Sequence, residues 1–164
     1  MRVSSNCSHL PEFKALVCGR KILAEDIFEL ELEVSDSGIF TLGQFVSFVR
    51  EDGLCRSYSI AKKDHRRLYF HIQRIANGKM SNWLATNESL QKSITLKGPY
   101  GECVYWDDYK LKNLILIGTG TGLAPLYGVL QDALESKHLG SIVLIHGSLS
   151  VSYTHLTLPT KRIV

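Results

Sequence analysis

Neither sign of charge prevails in this 164-residue chain, no apolar run is long, and its four cysteines never fall into a Cys-x-x-Cys pair. Nineteen Lys and Arg against sixteen Asp and Glu give a formal +3. Lys161 and Arg162 lie in a terminal stretch without acids, so residues 1–150 carry only +1. That balance offers no electrostatic attraction to nucleic acid or to an anionic membrane. Nothing approaches the roughly 20 apolar residues of a membrane-spanning helix, and the residues before Pro11 lack the apolar core of a secretory leader. A soluble, cytoplasmic protein is expected, with no membrane span and no nucleic-acid partner. Cys7, Cys18, Cys55 and Cys103 are too far apart for an ordinary zinc or iron–sulfur spacing, so no metal site is expected and they read as reduced, partly buried thiols. A hydrophobic content of 45% with 21% charged residues is that of an ordinary globular protein. The length allows one domain and part of a second.

The most informative segment present is Leu114-Ile115-Leu116-Ile117-Gly118-Thr119-Gly120-Thr121-Gly122-Leu123-Ala124-Pro125. An apolar run breaks into a glycine-rich turn, and Leu126, Val129, Leu130, Ala133 and Leu134 then recur at helical spacing, with Pro125 suited to the first turn. A second apolar run, Ile142 to Ile145, follows Gly140. Strand, turn, helix and strand make a βαβ unit, hence a parallel sheet with a ligand site at the strands' carboxyl ends. Glycines admit a close anion, and the free N–H groups of the helix start supply donors. The pattern departs from the usual dinucleotide fingerprint, which would call for glycine where Leu123 stands, and no acidic residue closes the second strand, where His146 and Gly147 stand. No Gly-Lys-Ser/Thr follows, so it is not a Walker-type loop either.

The last fourteen residues read differently. Val151-Ser152-Tyr153-Thr154-His155-Leu156-Thr157-Leu158-Pro159-Thr160 resembles the conceptual translation of a transposon-end adaptor used in sequencing libraries, followed by three variable positions and Val164. Residues 151–164 are therefore set aside from fold reasoning as a non-native tail. Alternation of Val151, Tyr153 and His155 is the competing reading, a real terminal strand. With the tail excluded, the βαβ unit is expected to be the start of a truncated domain.

Before residue 100 the periodicity is that of strands. Glu29-Leu30-Glu31-Leu32-Glu33-Val34 alternates charged and apolar side chains with period two, the pattern of a half-buried strand. Phe13 to Val17, Phe45 to Val49, Arg56 to Ala61, Leu68 to Ile75 and Ile94 to Leu96 add further β-rich runs, parted by Ser37-Gly38, Asp52-Gly53, Asn77-Gly78 and Gly98-Pro99. These strands predict a small antiparallel barrel or sandwich, interrupted by one short helix over about residues 80–86. The join to the βαβ unit is expected near Asp107 to Lys112.

Two motifs in the β region carry chemistry. In Arg56-Ser57-Tyr58-Ser59, alternation places Arg56 and Tyr58 on one face of a strand. A guanidinium holds phosphate bidentately, a phenol ring lies against a planar heterocycle, and a hydroxyl bonds its edge. Alone, the four residues suit any exposed strand. Gly78-Lys79-Met80-Ser81 opens the short helix, with Gly78 free to turn and Ser81 placed to cap the helix or bind an anion.

Together with Gly98-Pro99-Tyr100-Gly101 and Gly118 to Pro125, these motifs occur in an order that resembles the ferredoxin–NADP⁺ reductase-like flavoenzymes, and among them the reductase components of bacterial oxygenases. The likeness runs from about residue 12 to 150. It implies an antiparallel Greek-key β-barrel that binds FAD, over residues 12–108, and a truncated Rossmann-like parallel α/β domain for NAD(P)H, over 109–150, after an N-terminal segment 1–11 and before the tail 151–164. Arg56 would neutralise the FAD diphosphate, with Ser57 beside it, Tyr58 would pack on the flavin or its ribityl chain, and Ser59 would be the catalytic residue, hydrogen-bonding near flavin N5. His71, Ile72 and Gln73, with Arg74, would offer backbone groups to the cofactor, and Gly78, Lys79, Met80 and Ser81 would hold its pyrophosphate. Gly118, Thr119, Gly120, Thr121, Gly122 and Pro125 would receive the nicotinamide nucleotide, with Thr121 near both cofactors. Gln44 matches a structural turn. His71 and His146 need no special side-chain role.

The function so implied is transfer of a hydride from NAD(P)H to FAD, and of electrons onward to an iron–sulfur protein or oxygenase component. Alignment and electrostatics are then the protein's contribution, with no acid–base pair expected. Lacking the parts that would complete the nicotinamide pocket, this polypeptide is expected to bind FAD weakly and to reduce acceptors poorly. Two other readings stand beside it. One is a redox regulatory or electron-transfer subunit using the same flavin scaffold. The other is a binding module without cofactor, in which Arg56→Ala would leave nucleotide binding unchanged.

Overall fold

The computed structural model describes residues 11–147. Six strands close into an antiparallel barrel: β1 (Glu12–Ala24), β2 (Ile27–Val34), β3 (Phe45–Val49), β4 (Cys55–Asp64), β5 (Arg67–Gln73) and β6 (Ser93–Tyr100), in the order β1-β2-β5-β4-β3-β6. The alternation of the Glu29–Val34 run has its expected result: Leu30, Leu32 and Val34 point into the barrel while the glutamates face outward. Leu68, Phe70 and Ile72 of β5 meet them from the neighbouring strand, with Phe48 edge-on to Phe70 at 4.9 Å. Helix α1 (Lys79–Leu84) plugs one end of the barrel with Met80 and Leu84.

Several boundaries differ from those the sequence suggests. Strand β1 runs on to Ala24 rather than stopping at Val17, because bulges after Val17 and Ile22 let Gly19, Arg20 and Lys21 keep pairing with β2. Strand β5 ends at Gln73, since Arg74 turns its N–H to the carbonyl of Asp26 and Ile75 turns its N–H to Ser81. Two thiols are less buried than expected, Cys55 and Cys103 being exposed, whereas Cys18 is half-buried as expected and Cys7 lies outside the described residues.

Beyond the barrel, β7 (Leu114–Thr119) and β8 (Ile142–Gly147) form a parallel pair joined by α2 (Leu123–Glu135), the βαβ unit expected. A single 3₁₀ turn over Gly120–Gly122 links β7 to α2. Helix α2 covers one face of the pair, where Val129 and Ala133 meet Leu114, Leu116 and Ile142. It also packs on the barrel. A Cβ added at Gly128 would meet the Gly43 nitrogen at 2.5 Å and the Ile60 oxygen at 2.9 Å, so helix and barrel backbones touch there. Residues 151–164, read above as a tail, lie outside the described residues. Among the described residues no helix is long and apolar enough to cross a membrane.

Candidate functional site

Strands β4 and β5 part company in the middle of the barrel wall. Their ladder runs from Asp64↔Arg67 to Ile60↔Phe70, passing a bulge between Ile60 and Lys62, and no β4–β5 pair beyond it is formed among the described residues. From there Arg56 to Ser59 stay paired with β3, and His71 to Gln73 stay paired with β2. Two strand edges with unspent backbone groups therefore face a widening opening, a place where an edge would otherwise demand a partner.

The side chains of Arg56 and Tyr58 share one face, opposite Phe48 and Val46, while Ser57 and Ser59 share the other, opposite Ser47 and Phe45. Ser57 and Ser47 are joined through their hydroxyls at 2.9 Å. Tyr58 tilts against Phe48 at 4.8 Å, and burial pushes its phenol up to about 12, against the opposing pull of the Arg56 charge. Arg56 is exposed, with its Nη1 donating to the carbonyl of Cys55 at 2.7 Å. Ser59 lies beside Phe45, whose ring stacks on Tyr100 at 5.2 Å.

Below the split, the turn Ile75–Gly78 leads into α1. Gly78 is the N-cap residue and gives no side-chain cap, so the first-turn N–H groups of Lys79, Met80 and Ser81 open the helix uncapped. A Cβ at Gly78 would fall 2.6 Å from Ser81 Oγ, which explains the glycine. Ser81 itself is buried and fastens the turn: its Oγ accepts from Ile75 N–H at 3.2 Å and sits 3.4 Å from the Gly78 carbonyl. Its hydroxyl thus shapes the loop, and only its backbone N–H faces the helix start.

The glycine-rich turn adjoins this opening, since the Gly120–Gly122 turn touches β5. A Cβ at Gly118 would meet the tip of the Leu126 side chain at 2.7 Å and the Gly122 carbonyl oxygen at 3.2 Å, so the turn folds closely over this position. Gly120, at φ +52°, and Gly122 have open space where a Cβ would stand, so the backbone there is bare to a ligand. His146 Nε2 lies 3.1 Å from the Gly120 carbonyl and props the turn from β8. Thr119, Thr121 and Pro125 lie on the same turn and the first turn of α2. Gln44 braces the neighbouring loop, accepting from Thr41 N–H at 3.0 Å and donating to Gly101 at 3.4 Å.

Tyr127 and Gly128, which carry the junction, were not picked out from the sequence, and His71 was singled out for its backbone alone. Tyr127 of α2 lies against the ring of His71 at 5.8 Å, and His71 Nε2 is 3.6 Å from Glu29 Oε2, which lowers the Glu29 carboxyl chiefly through its bond to His71. Gly128 had a signal, a glycine inside a helix, where it costs up to about 1 kcal/mol unless close packing needs it.

The donor set suits a phosphate-bearing planar cofactor: an exposed guanidinium, three uncapped helix N–H groups, a half-buried phenol and two bare strand edges. Comparison with known proteins agrees. Residues 16–105 match the family of oxidoreductase FAD-binding domains, and residues 116–157 match that of oxidoreductase NAD-binding domains. The chain is 29% identical over 140 residues to the xylene/toluene monooxygenase electron transfer component of Pseudomonas putida, covering 84% of this chain and 39% of that one. It is 32% identical over 127 residues to the ferredoxin–NADP reductase of Azotobacter vinelandii, covering 75% and 49%. The crystal structure of an Amycolatopsis cytochrome P450 reductase superposes with a TM-score of 0.79 at 27% identity, over 89% of this chain and 46% of that one. The chain thus spans less than half the length of these relatives.

Proposed function

The chain belongs to the family of oxidoreductases with an FAD-binding domain, followed here by a match to their NAD-binding domain, and from that premise we propose that it is the flavin-binding part of an NAD(P)H-dependent reductase that delivers electrons to an acceptor protein. The observation that carries the reading is the split between β4 and β5, flanked on one side by Arg56 and the start of α1 and on the other by the Gly120–Gly122 turn. When bound, FAD would supply hydride acceptance from NAD(P)H and onward electron transfer.

Each residue then has a task of binding or positioning. Arg56 and the N–H groups of Lys79, Met80 and Ser81 would neutralise the diphosphate, with Gly78 keeping the approach open. Tyr58 would present its ring to the flavin or its ribityl chain, and the backbone of His71, Ile72 and Gln73 would bond the ring's polar edge. Ser59, on the opposite face from Tyr58, would donate its hydroxyl near the reacting nitrogen, with Ser57 supporting the strand through Ser47. Gly118 to Gly122, with Thr119, Thr121 and Pro125, would receive the nicotinamide nucleotide beside the flavin. The electron acceptor is taken to be an iron–sulfur or oxygenase component, since the named relatives serve oxygenases and ferredoxin, and a cytoplasmic setting suits that role.

The chain spans less than half the length of its named relatives, so NAD(P)H-dependent turnover by this chain alone is expected to be slow. Flavin binding is the sharper test. FAD added to the whole chain should give a saturable change in its fluorescence, and Arg56→Ala should abolish most of that. A folded chain that leaves FAD free would overturn the proposal.

A further inference from the structure

A groove of about 240 Å³ lies beside α1, lined by Arg50, Glu51, Asp52, Trp83, Lys92 and Ser93. Its main wall is a hydrogen-bonded hairpin. Arg50 closes the β3–β4 hairpin by donating its N–H to Leu54 at 3.0 Å. Asp52 grips its guanidinium twice, Nε to Oδ1 at 2.9 Å and Nη2 to Oδ2 at 2.5 Å, and Oδ1 also accepts from Leu54 N–H at 3.2 Å. The guanidinium sits 5.5 Å from the centre of the Trp83 ring. Because Arg50 holds the Asp52 carboxyl well below the usual carboxylate range, the clamp persists at any ordinary pH.

We propose that this groove receives the adenosine end of FAD and is what distinguishes the dinucleotide from FMN. The inference rests on the flavin reading above. Both walls grow from the segments that bracket the proposed diphosphate: the hairpin ends just before Arg56, and Trp83 follows Ser81 by two residues, about 3 Å along the helix axis. A planar guanidinium already fixed over an aromatic ring is a ready stacking surface for a purine, and fixing it beforehand removes the ordering cost of binding. Lys92 adds a cation for the neighbouring phosphate, and the Glu51 carboxylate is the kind of acceptor that ribose hydroxyls find in dinucleotide sites. The groove is smaller than the about 300–1,000 Å³ of sites for drug-sized ligands, which suits one nucleoside rather than a whole dinucleotide.

The chain has two tryptophans, so Trp106→Phe leaves Trp83 as the single reporter in the otherwise intact protein. AMP should quench its fluorescence saturably, and FAD should displace AMP. Arg50→Ala should weaken FAD about tenfold, or about 1.4 kcal/mol, and leave FMN within about twofold; retained FMN binding shows that this variant is folded. Arg50→Lys, which keeps the charge and loses the plane, should show most of the same loss. Arg56→Ala should weaken both flavins alike. Equal losses of FAD and FMN in Arg50→Ala, or no loss of either, would overturn the assignment while sparing the flavin reading. A wild-type chain that binds neither flavin would sink both.

Discussion

In the barrel, strands alternate around a cluster of eighteen buried side chains, whereas β7 and β8 alternate as strictly around a cluster of three. The difference lies in what stands on the second face. The barrel's outer positions are mostly polar, as the glutamates of β2 show, so its outer face stands in water without an apolar cover. On β7 and β8 the outward positions are Ile115, Ile117, Val143 and Ile145, exposed by 66%, 66%, 47% and 50%. A parallel sheet is ordinarily covered on both faces, so among the described residues the barrel is a finished core and the βαβ unit presents half of one. The proposed flavin seat is accordingly built on the barrel's closed core, and the glycine-rich turn is held by α2 and by its contact with β5.

The largest effect expected from that contrast is on stability. Phe70→Ala, at the centre of the barrel, should cost about 3–5 kcal/mol in urea unfolding. Ile117→Ala on the bare face should stay within about 0.5 kcal/mol; a cost above 2 would mean that face is packed in solution and the contrast is wrong. Next comes the seat itself. Removing the Arg56 guanidinium should weaken FAD by about 1.5–3 kcal/mol, the range for hydrogen bonds to charged groups, while leaving the unfolding midpoint of the apo chain nearly unchanged. Gly128→Ala drives a Cβ into the Gly43 and Ile60 backbones and should cost about 1–3 kcal/mol through overpacking, with Ile60 and its neighbours gaining hydrogen exchange as α2 lifts.

The smallest effect is alkaline. Burial raises the Tyr58 phenol from 10.0 to about 12, so the folded state favours the neutral ring. Its contribution is complete below pH 10 and is lost as pH rises toward 12. Tyr58→Phe should therefore flatten the fall in stability over that interval, and an ultraviolet titration of the wild type should show a late-ionising phenol that this variant lacks. Identical alkaline limbs for the two proteins would place Tyr58 in water rather than against Phe48.

Much of this was legible in the amino-acid order because period-two alternation and glycine punctuation act locally. The strand Glu29–Val34, the shared face of Arg56 and Tyr58, and the turn at Gly118–Gly122 each follow from neighbours a few residues apart. What escaped depends on distant partners. Strand β1 continues through Gly19 and Lys21 because β2 pairs with it across two bulges, overriding weak local β preference. The parting of β4 from β5 follows a bulge near Ala61 that no local pattern announces. Ser81, readable as an N-cap or an anion ligand, turns its hydroxyl back to Ile75 because the Ile75–Gly78 turn needs a fastener more than the helix does. The fastening of Arg50 by Asp52 is short-range, yet its stacking on Trp83 joins segments over thirty residues apart.

A crystal structure of the chain with FAD tests the central claim most directly. The flavin ring should lie in the opening between Arg56–Ser59 and His71–Gln73, its diphosphate between Arg56 and the start of α1, and its ring edge toward the Gly120–Gly122 turn. Finding that opening closed by β4–β5 pairing, with FAD bound elsewhere on the protein, would contradict the account.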